Sequence, residues 1–248
     1  MTFSLDHVVI AVGDLDTAVS DYRALGFTVY PGGVHHGGVS HNALVIFADG
    51  SYFELIAYRQ AAPDVRWWQV LSKAGEGFVD FALLPQNAER DAAAARGRGL
   101  DLVGPIAGGR LRLDGERLDW QIVRPKTTDL PFWCGDVTPR NLRVPEGAMR
   151  SHANGVSGVA SLTIAVNDVG KTAERYAALA GAGAVTQANG GARFVLGDTT
   201  FELTADDAAQ AHVARRGEGP MALKLRGPAA RALDIRLAHG AALSIGPA

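Results

Sequence analysis

Two polar side chains break apolar strands in the first quarter of the chain. His7 lies in LDHVVIAV (5–12) and Glu54 in YFELIA (52–57). A buried polar group left without a partner costs about 1–3 kcal/mol, and an isolated buried charge costs more. Each therefore needs a partner, and two kinds would serve. One divalent ion could satisfy both, because neutral imidazole and ionised carboxylate are ligand types of zinc, iron, manganese and nickel sites. Two protein donors are too few for tight binding, so a third must come from Asp80, His41 or His152. Alternatively, His7 and Glu54 partner each other directly, and no metal is involved.

Other residues could complete a site around this pair. The loop VHHGGVSHN holds His35, His36 and His41 between glycines. His41 leads into the strand facing Glu54 and is read as an acid/base group, since imidazole titrates near neutrality. Glu54 itself is the other catalytic candidate. Asn42 is a substrate contact, and His35 and His36 are read as surface residues. Trp120 and Trp133 would form aromatic walls for a small, partly apolar ligand, whereas Trp67 and Trp68 pack a helix. Arg140, in DVTPRN, could grip an anionic group through both guanidinium prongs. Cys134 has no adjacent base and is read as packing. No glycine pair stands in a GxGxxG or Walker spacing, so no nucleotide cofactor is expected.

These residues need elements to hold them. LDHVVIAV reads as a buried strand. Asp14 then caps a helix with apolar residues at Leu15, Ala18, Val19, Tyr22 and Leu25, ended by Gly26. FTVYPGG reads as a strand ended by its Pro-Gly turn. ALVIFADGSYFELIAY reads as a hairpin around Asp49-Gly50. The unit is β-α-β-β-β, and it recurs. VASLTIAVNDV, from residue 159, repeats the first strand with Ser161 in place of His7, and LGDTTFELTA places Glu202 on Glu54. With no histidine beside it, Glu202 is expected to serve structure, paired with Arg193 or Arg175 or solvated. A weaker copy spans GFVDFALLP to ERLDWQIVRP, with Asp80 on His7. A fourth, shorter copy closes the chain: strand GPMALKLRG, helix PAARALDIRLAHG, strand AALSI.

The stretches LDHVVIAVGDLDTAVSDYRALGF, PGGVHHGGVSHNAL, SYFELIA, LPFWCGDVTPR and HANGV resemble the vicinal oxygen chelate superfamily, in particular its glyoxalase-like branch. The resemblance covers most of the chain and is strong to about Gly155. It implies an α+β fold of tandem paired β-α-β-β-β modules whose mixed sheets curl into a cup. A divalent metal is implied in the cup, with ligands from the first and last strands of paired modules. Carried over by position, these are His7 and Glu54, then Asp80, with Asp119 or Gln121 near the last-strand position of the second module. The implied function is a metal-dependent enzyme acting on a small organic molecule with adjacent oxygens, of isomerase, lyase, epimerase or dioxygenase type. The alternative is a metal-free protein of the same fold that binds or sequesters a small molecule.

Composition sets the frame. The 248 residues are 47% apolar with a net charge of −2. Near-neutral charge without basic or acidic runs argues against nucleic acid or a membrane surface as partner. The expected partner is a small-molecule substrate, with a homodimer left open. One cysteine, no signal-peptide pattern and no membrane-length apolar run point to a cytoplasmic protein. The expected division is a glyoxalase-like domain over 1–130 holding the site, a linker over 131–154, and a degenerate second domain over 155–248.

Overall fold

The structure is a computed structural model describing residues 3–112, 114–181, 185–188 and 190–247. The first module is β1 (Ser4–Ala11), α1 (Leu15–Ala24), β2 (Tyr30–His35), β3 (Ser40–Ile46) and β4 (Tyr52–Tyr58). Helix α2 (Arg66–Ala74) leads to the second: β5 (Gly77–Leu84), α3 (Ala88–Gly97), β6 (Leu102–Leu111), β7 (Arg117–Pro125) and β8 (Phe132–Asp136). After the short α4 (Arg140–Arg143) come β9 (Gly158–Ala165), α5 (Val169–Ala180), β10 (Val185–Ala188), β11 (Gly191–Leu196) and β12 (Thr199–Thr204). The chain closes with α6 (Asp207–Arg216), β13 (Gly219–Arg226), β14 (Arg231–Ala232) and β15 (Leu243–Gly246).

The first two modules close into a barrel, in the order β1-β4-β3-β2-β6-β7-β8-β5. The remaining strands form an open sheet, β10-β11-β12-β9-β13-β15-β14. Strand parity then decides what each side chain meets. On β1 and β4, Val8, Ile10, Phe53 and Leu55 face outward into a core shared with Leu162, Phe201 and Leu223 of the second sheet. Phe81 of β5 stacks on Phe201 at 5.8 Å between ring centroids. The opposite face of the same strands, carrying Val9, Ala11 and Ile56, looks into the barrel. Helix α1 begins as its sequence indicates, with the Asp14 carboxylate accepting from Thr17 N at 2.8 Å.

Three local expectations are corrected. Residues 132–136, assigned by sequence to a linker, form β8 inside the barrel, where Phe132 pairs with Ala82. Their aromatic, apolar composition suits a central strand, not a solvated connection. Residues 228–240 form no helix; β14 and turns stand there. Arg231 and Ala232 pair with Ile245 and Ser244 of β15 instead, and Ile235 is exposed. The PGG of residues 31–33 lies within β2 at an irregularity in its pairing to β3, not after the strand.

The loop after β7 is locked to α5. Asp129 is buried, accepting from Thr172 Oγ1 at 2.7 Å and Arg175 at 2.5 Å. Burial pushes its carboxyl up, but these donors more than offset that and hold it below the ordinary range. A depressed carboxyl stabilises the fold above its unfolded pKa of about 3.9, and that contribution fades as pH falls through the lower folded value. Asp129→Asn should lower stability at neutral pH by about 1–3 kcal/mol. It should also flatten the acid limb of a plot of Tm against pH, which thermal melts between neutral and acidic pH would measure.

Candidate functional site

The barrel encloses a cavity of about 750 Å³. Parity brings His7 of β1, Asn42 and Leu44 of β3, and Tyr52, Glu54 and Ile56 of β4 to its wall. His7 and Glu54 thus meet, with His7 Nε2 3.5 Å from Glu54 Oε2. Tyr52 stacks on the imidazole at 4.7 Å and Phe132 meets it edge-on at 5.4 Å.

Behind His7 stands a buried ionic scaffold. Asp6 is the extra residue of a bulge, where the β1–β5 register shifts between Leu5 and His7. A bulge re-aims a side chain, and here the Asp6 carboxylate reaches the neighbouring His7 Nδ1 at 2.7 Å. Asp6 is fully buried, yet Arg143 grips both its oxygens at 2.8 and 3.1 Å and Arg140 adds a contact at 2.7 Å. Burial alone would raise its carboxyl; the arginines and His7 hold it well below the ordinary value. Asp136 balances the two arginines, taking Arg143 Nε at 2.6 Å and Arg140 at 3.0 Å. An ionised carboxylate only accepts, so Asp6 takes a proton held on His7 Nδ1, and Nε2 is left facing Glu54 and the cavity.

Glu54 is also partnered. Asn42 Nδ2 donates to its Oε1 at 2.6 Å, and His35 Nε2 lies 3.3 Å from the same oxygen. Burial pushes this carboxyl up, but His35, His7 and Asn42 outweigh it and bring it to about 2. Room for Asn42 comes from Gly32, where a Cβ would lie 1.9 Å from Asn42 Oδ1. Gly32→Ala should therefore displace Asn42 and lower stability by about 1–3 kcal/mol, measurable as a fall in Tm.

The remaining candidates separate cleanly. Trp120 lines the cavity, lying across Gly108, where a Cβ would sit 2.3 Å from the indole nitrogen. Asp80 also lines the cavity, but its Oδ2 takes Trp67 Nε1 at 2.9 Å and Arg66 at 3.4 Å. Three others lie away from the wall. His41 is opposite in parity to Asn42, cross-paired with Val34 and Ala57. Trp133 is fully buried on the outer face of β8, 4.8 Å from Phe3. Arg140 is committed to Asp6, Asp136 and Gly50 O. His152, the other candidate third donor, accepts from Thr28 N between Phe27 and Phe47.

These placements bear on a metal. The last strand of the second module is β8, not β7 with Asp119 and Gln121, and β8 presents Phe132 and Cys134 to the cavity. Burial pushes the Cys134 thiol up, which disfavours the ligating thiolate. His7, His35 and Glu54 are drawn together, the two imidazole Nε2 atoms lying 3.5 and 3.3 Å from the two Glu54 oxygens, although among the described residues no three side chains are spaced as a ligand set. The second-module donors that would complete the set implied by the resemblance are thus spent or replaced, and His35 of the first module is the remaining nitrogen donor beside His7 and Glu54.

Four contributors escaped the sequence reading: Asp6, His35, Arg143 and Arg110. Asp6 was next to His7 in the same strand, whereas His35 follows only from the β2–β3 register, which sets Gly33 opposite Asn42. Nothing local marks Arg143. Arg110 faces inward from β6 beside His35, its register partner on β2.

The comparisons with known proteins agree with this architecture. A family model described as a glyoxalase-like domain matches residues 5–180, more than half of the chain. The chain belongs to the glyoxalase-like domain family. No curated protein is a significant match by sequence. Among solved structures, this glyoxalase-like chain is similar to a hypothetical protein from Staphylococcus aureus (TM-score 0.77, 14% identity, covering 99% of this chain and 100% of that one). It is also similar to a mutant of 4-hydroxymandelate synthase from Streptomyces coelicolor (TM-score 0.62, 13% identity, 92% and 72% covered). A xylose isomerase-like TIM barrel/4-hydroxyphenylpyruvate dioxygenase fusion protein aligns with TM-score 0.58 and 12% identity, covering 92% of this chain and 37% of that one. At such identities the likeness shows a shared fold and nothing finer. Among the described residues, no helix is long and apolar enough to cross a membrane.

Proposed function

We propose that this chain is an enzyme that moves a proton on a small organic molecule with adjacent oxygens, using His7 as the base. The observation that carries this reading is the 2.7 Å contact between Asp6 and His7 Nδ1. It holds a proton on Nδ1 and turns Nε2 toward Glu54 and the cavity. A histidine kept only for packing has no use for a buried aspartate clamped by two arginines. In the step proposed, Nε2 takes a proton from a C–H beside a carbonyl, and the bonding pair moves onto the carbonyl oxygen. The imidazolium so formed lies between Asp6 and Glu54. Returning the proton to the same or a neighbouring atom completes an epimerisation or isomerisation. Glu54, held at about 2, is ionised throughout and too weak a base for the transfer itself. It serves as the counter-charge.

The test is hydrogen–deuterium exchange by NMR in heavy water, with a panel of 2-oxo acids and 2-hydroxy ketones. Wild type should exchange the C–H next to the carbonyl of at least one compound. His7→Ala should lose about 10²–10⁴-fold of that rate while still binding it. Binding without exchange in wild type would leave the second reading, a small-molecule binding protein. Elemental analysis of protein purified without chelator or affinity metal supplies the other arm. Stoichiometric metal, lost in His7→Ala, would make Nε2 a ligand and overturn its role as the base.

A further inference from the structure

Arg110 is a buried cation without an ionic partner. Only 5% of its surface is exposed, and it lines the cavity. One prong donates to the Gly32 carbonyl. Among the described residues, no carboxylate lies within ion-pair distance of it. Every other cation along this wall differs. Arg143 is neutralised by Asp6 and Asp136, Arg66 faces Asp80, and Lys126 faces Asp101; Arg124 is exposed. Glu54, the nearest acid on the floor, is taken by Asn42 and His35. Burying a charge costs several kcal/mol unless something compensates it, and burial does pull the Arg110 guanidinium down. One carbonyl contact leaves four of its five N–H donors to other acceptors.

We propose that Arg110 anchors a carboxylate of the substrate, making the cup selective for small organic acids with an apolar or aromatic body. The planar guanidinium fork matches a carboxylate with two parallel hydrogen bonds. The body of the ligand then lies along Tyr52, Trp67, Trp120 and Phe132, which line the same space. His35, beside Arg110, and His7 share one floor through Glu54, so the carbon next to the anchored group is carried toward the base. This assignment deepens the proton-transfer reading by naming the substrate class. Anchoring and transfer are measured separately.

The experiment is calorimetric or NMR titration of the full chain with phenylacetate against phenylacetamide, and butyrate against butyramide. Wild type should bind each acid at least about tenfold more tightly than its neutral isostere, given a charge-assisted contact. Arg110→Gln should erase the preference by weakening only the acids, and His7→Ala should keep it. If wild type does not discriminate acid from amide, the anchor is wrong, whatever the exchange experiment gives. If Arg110→Gln melts too low to assay, Arg110→Lys decides. It keeps the charge but loses the fork, so a preference reduced threefold or more supports the anchor and an unchanged one overturns it. Selective binding of acids with no exchange of any compound leaves the anchor standing and removes only the enzyme reading.

Discussion

Asp6→Asn should lose about 3–5 kcal/mol of stability, the usual cost of breaking a buried ion pair by removing one partner. For a chain of this size that is a fall in Tm of roughly 6–20 °C. The reason is the arginine left behind. Arg143 is buried and points two N–H groups at Asp6. Asparagine offers one neutral acceptor in place of two charged ones, and Asp136 alone cannot balance both arginines. The same change should reduce proton exchange by about 10²–10⁴-fold, by the route through which a misdirected tautomer disables a histidine base. An amide can donate to Nδ1, which sends the imidazole proton to Nε2 and blocks the lone pair. Arg140→Met should cost much less, because Arg140 is part-exposed and Arg143 still holds both Asp6 oxygens. Thermal melts and exchange rates of the two variants separate the scaffold from the orientation of His7. If Asp6→Asn melted like wild type and exchanged at the wild-type rate, the scaffold would have no role in presenting His7.

How far the sequence revealed this site follows strand parity and chain distance. The barrel was legible in its first module because LDHVVIAV and YFELIA are strands buried on both faces, and the Asp49-Gly50 turn fixes the hairpin of YFELIA with the strand before it. His7 and Glu54 stood out as polar interruptions of those runs. His41 misled because it adjoins Asn42, and a shift of one residue turns a side chain to the other face. Arg110 was hidden by an inverted pattern. In GRLRL the reader buries leucine and exposes arginine, yet Leu111 is 57% exposed and Arg110 5%. Such inversions cluster where function overrides local rules. Arg140 and Arg143 lie more than a hundred residues from Asp6, in a stretch whose Pro and Gly content suggested a linker. No local signal reports a contact of that range. The Asp6 bulge is a property of the β1–β5 pairing, which one strand alone does not encode.

Glu54→Gln should slow exchange by about 10²-fold while tightening the binding of acids. Two charges about 4 Å apart interact by roughly 4 kcal/mol in a protein-like medium. The imidazolium formed at His7, with Nε2 3.5 Å from Glu54 Oε2, would lose most of that. A glutamine dipole restores part, so the expected loss is smaller than the full figure. The sign on binding is opposite because Glu54 contributes negative charge near Arg110, and that charge repels an incoming carboxylate. Removing it should leave Arg110 more strongly positive toward the ligand. Stability should fall as well, since Asn42 and His35 lose a charged acceptor. Few substitutions slow a reaction and strengthen ligand binding together. Here the pairing of effects follows from one carboxylate facing a base on one side and an anion anchor on the other. Exchange rates and phenylacetate titrations on the same preparation measure both. Weaker acid binding in Glu54→Gln would mean that the carboxylate does not sit between these two groups as electrostatics requires.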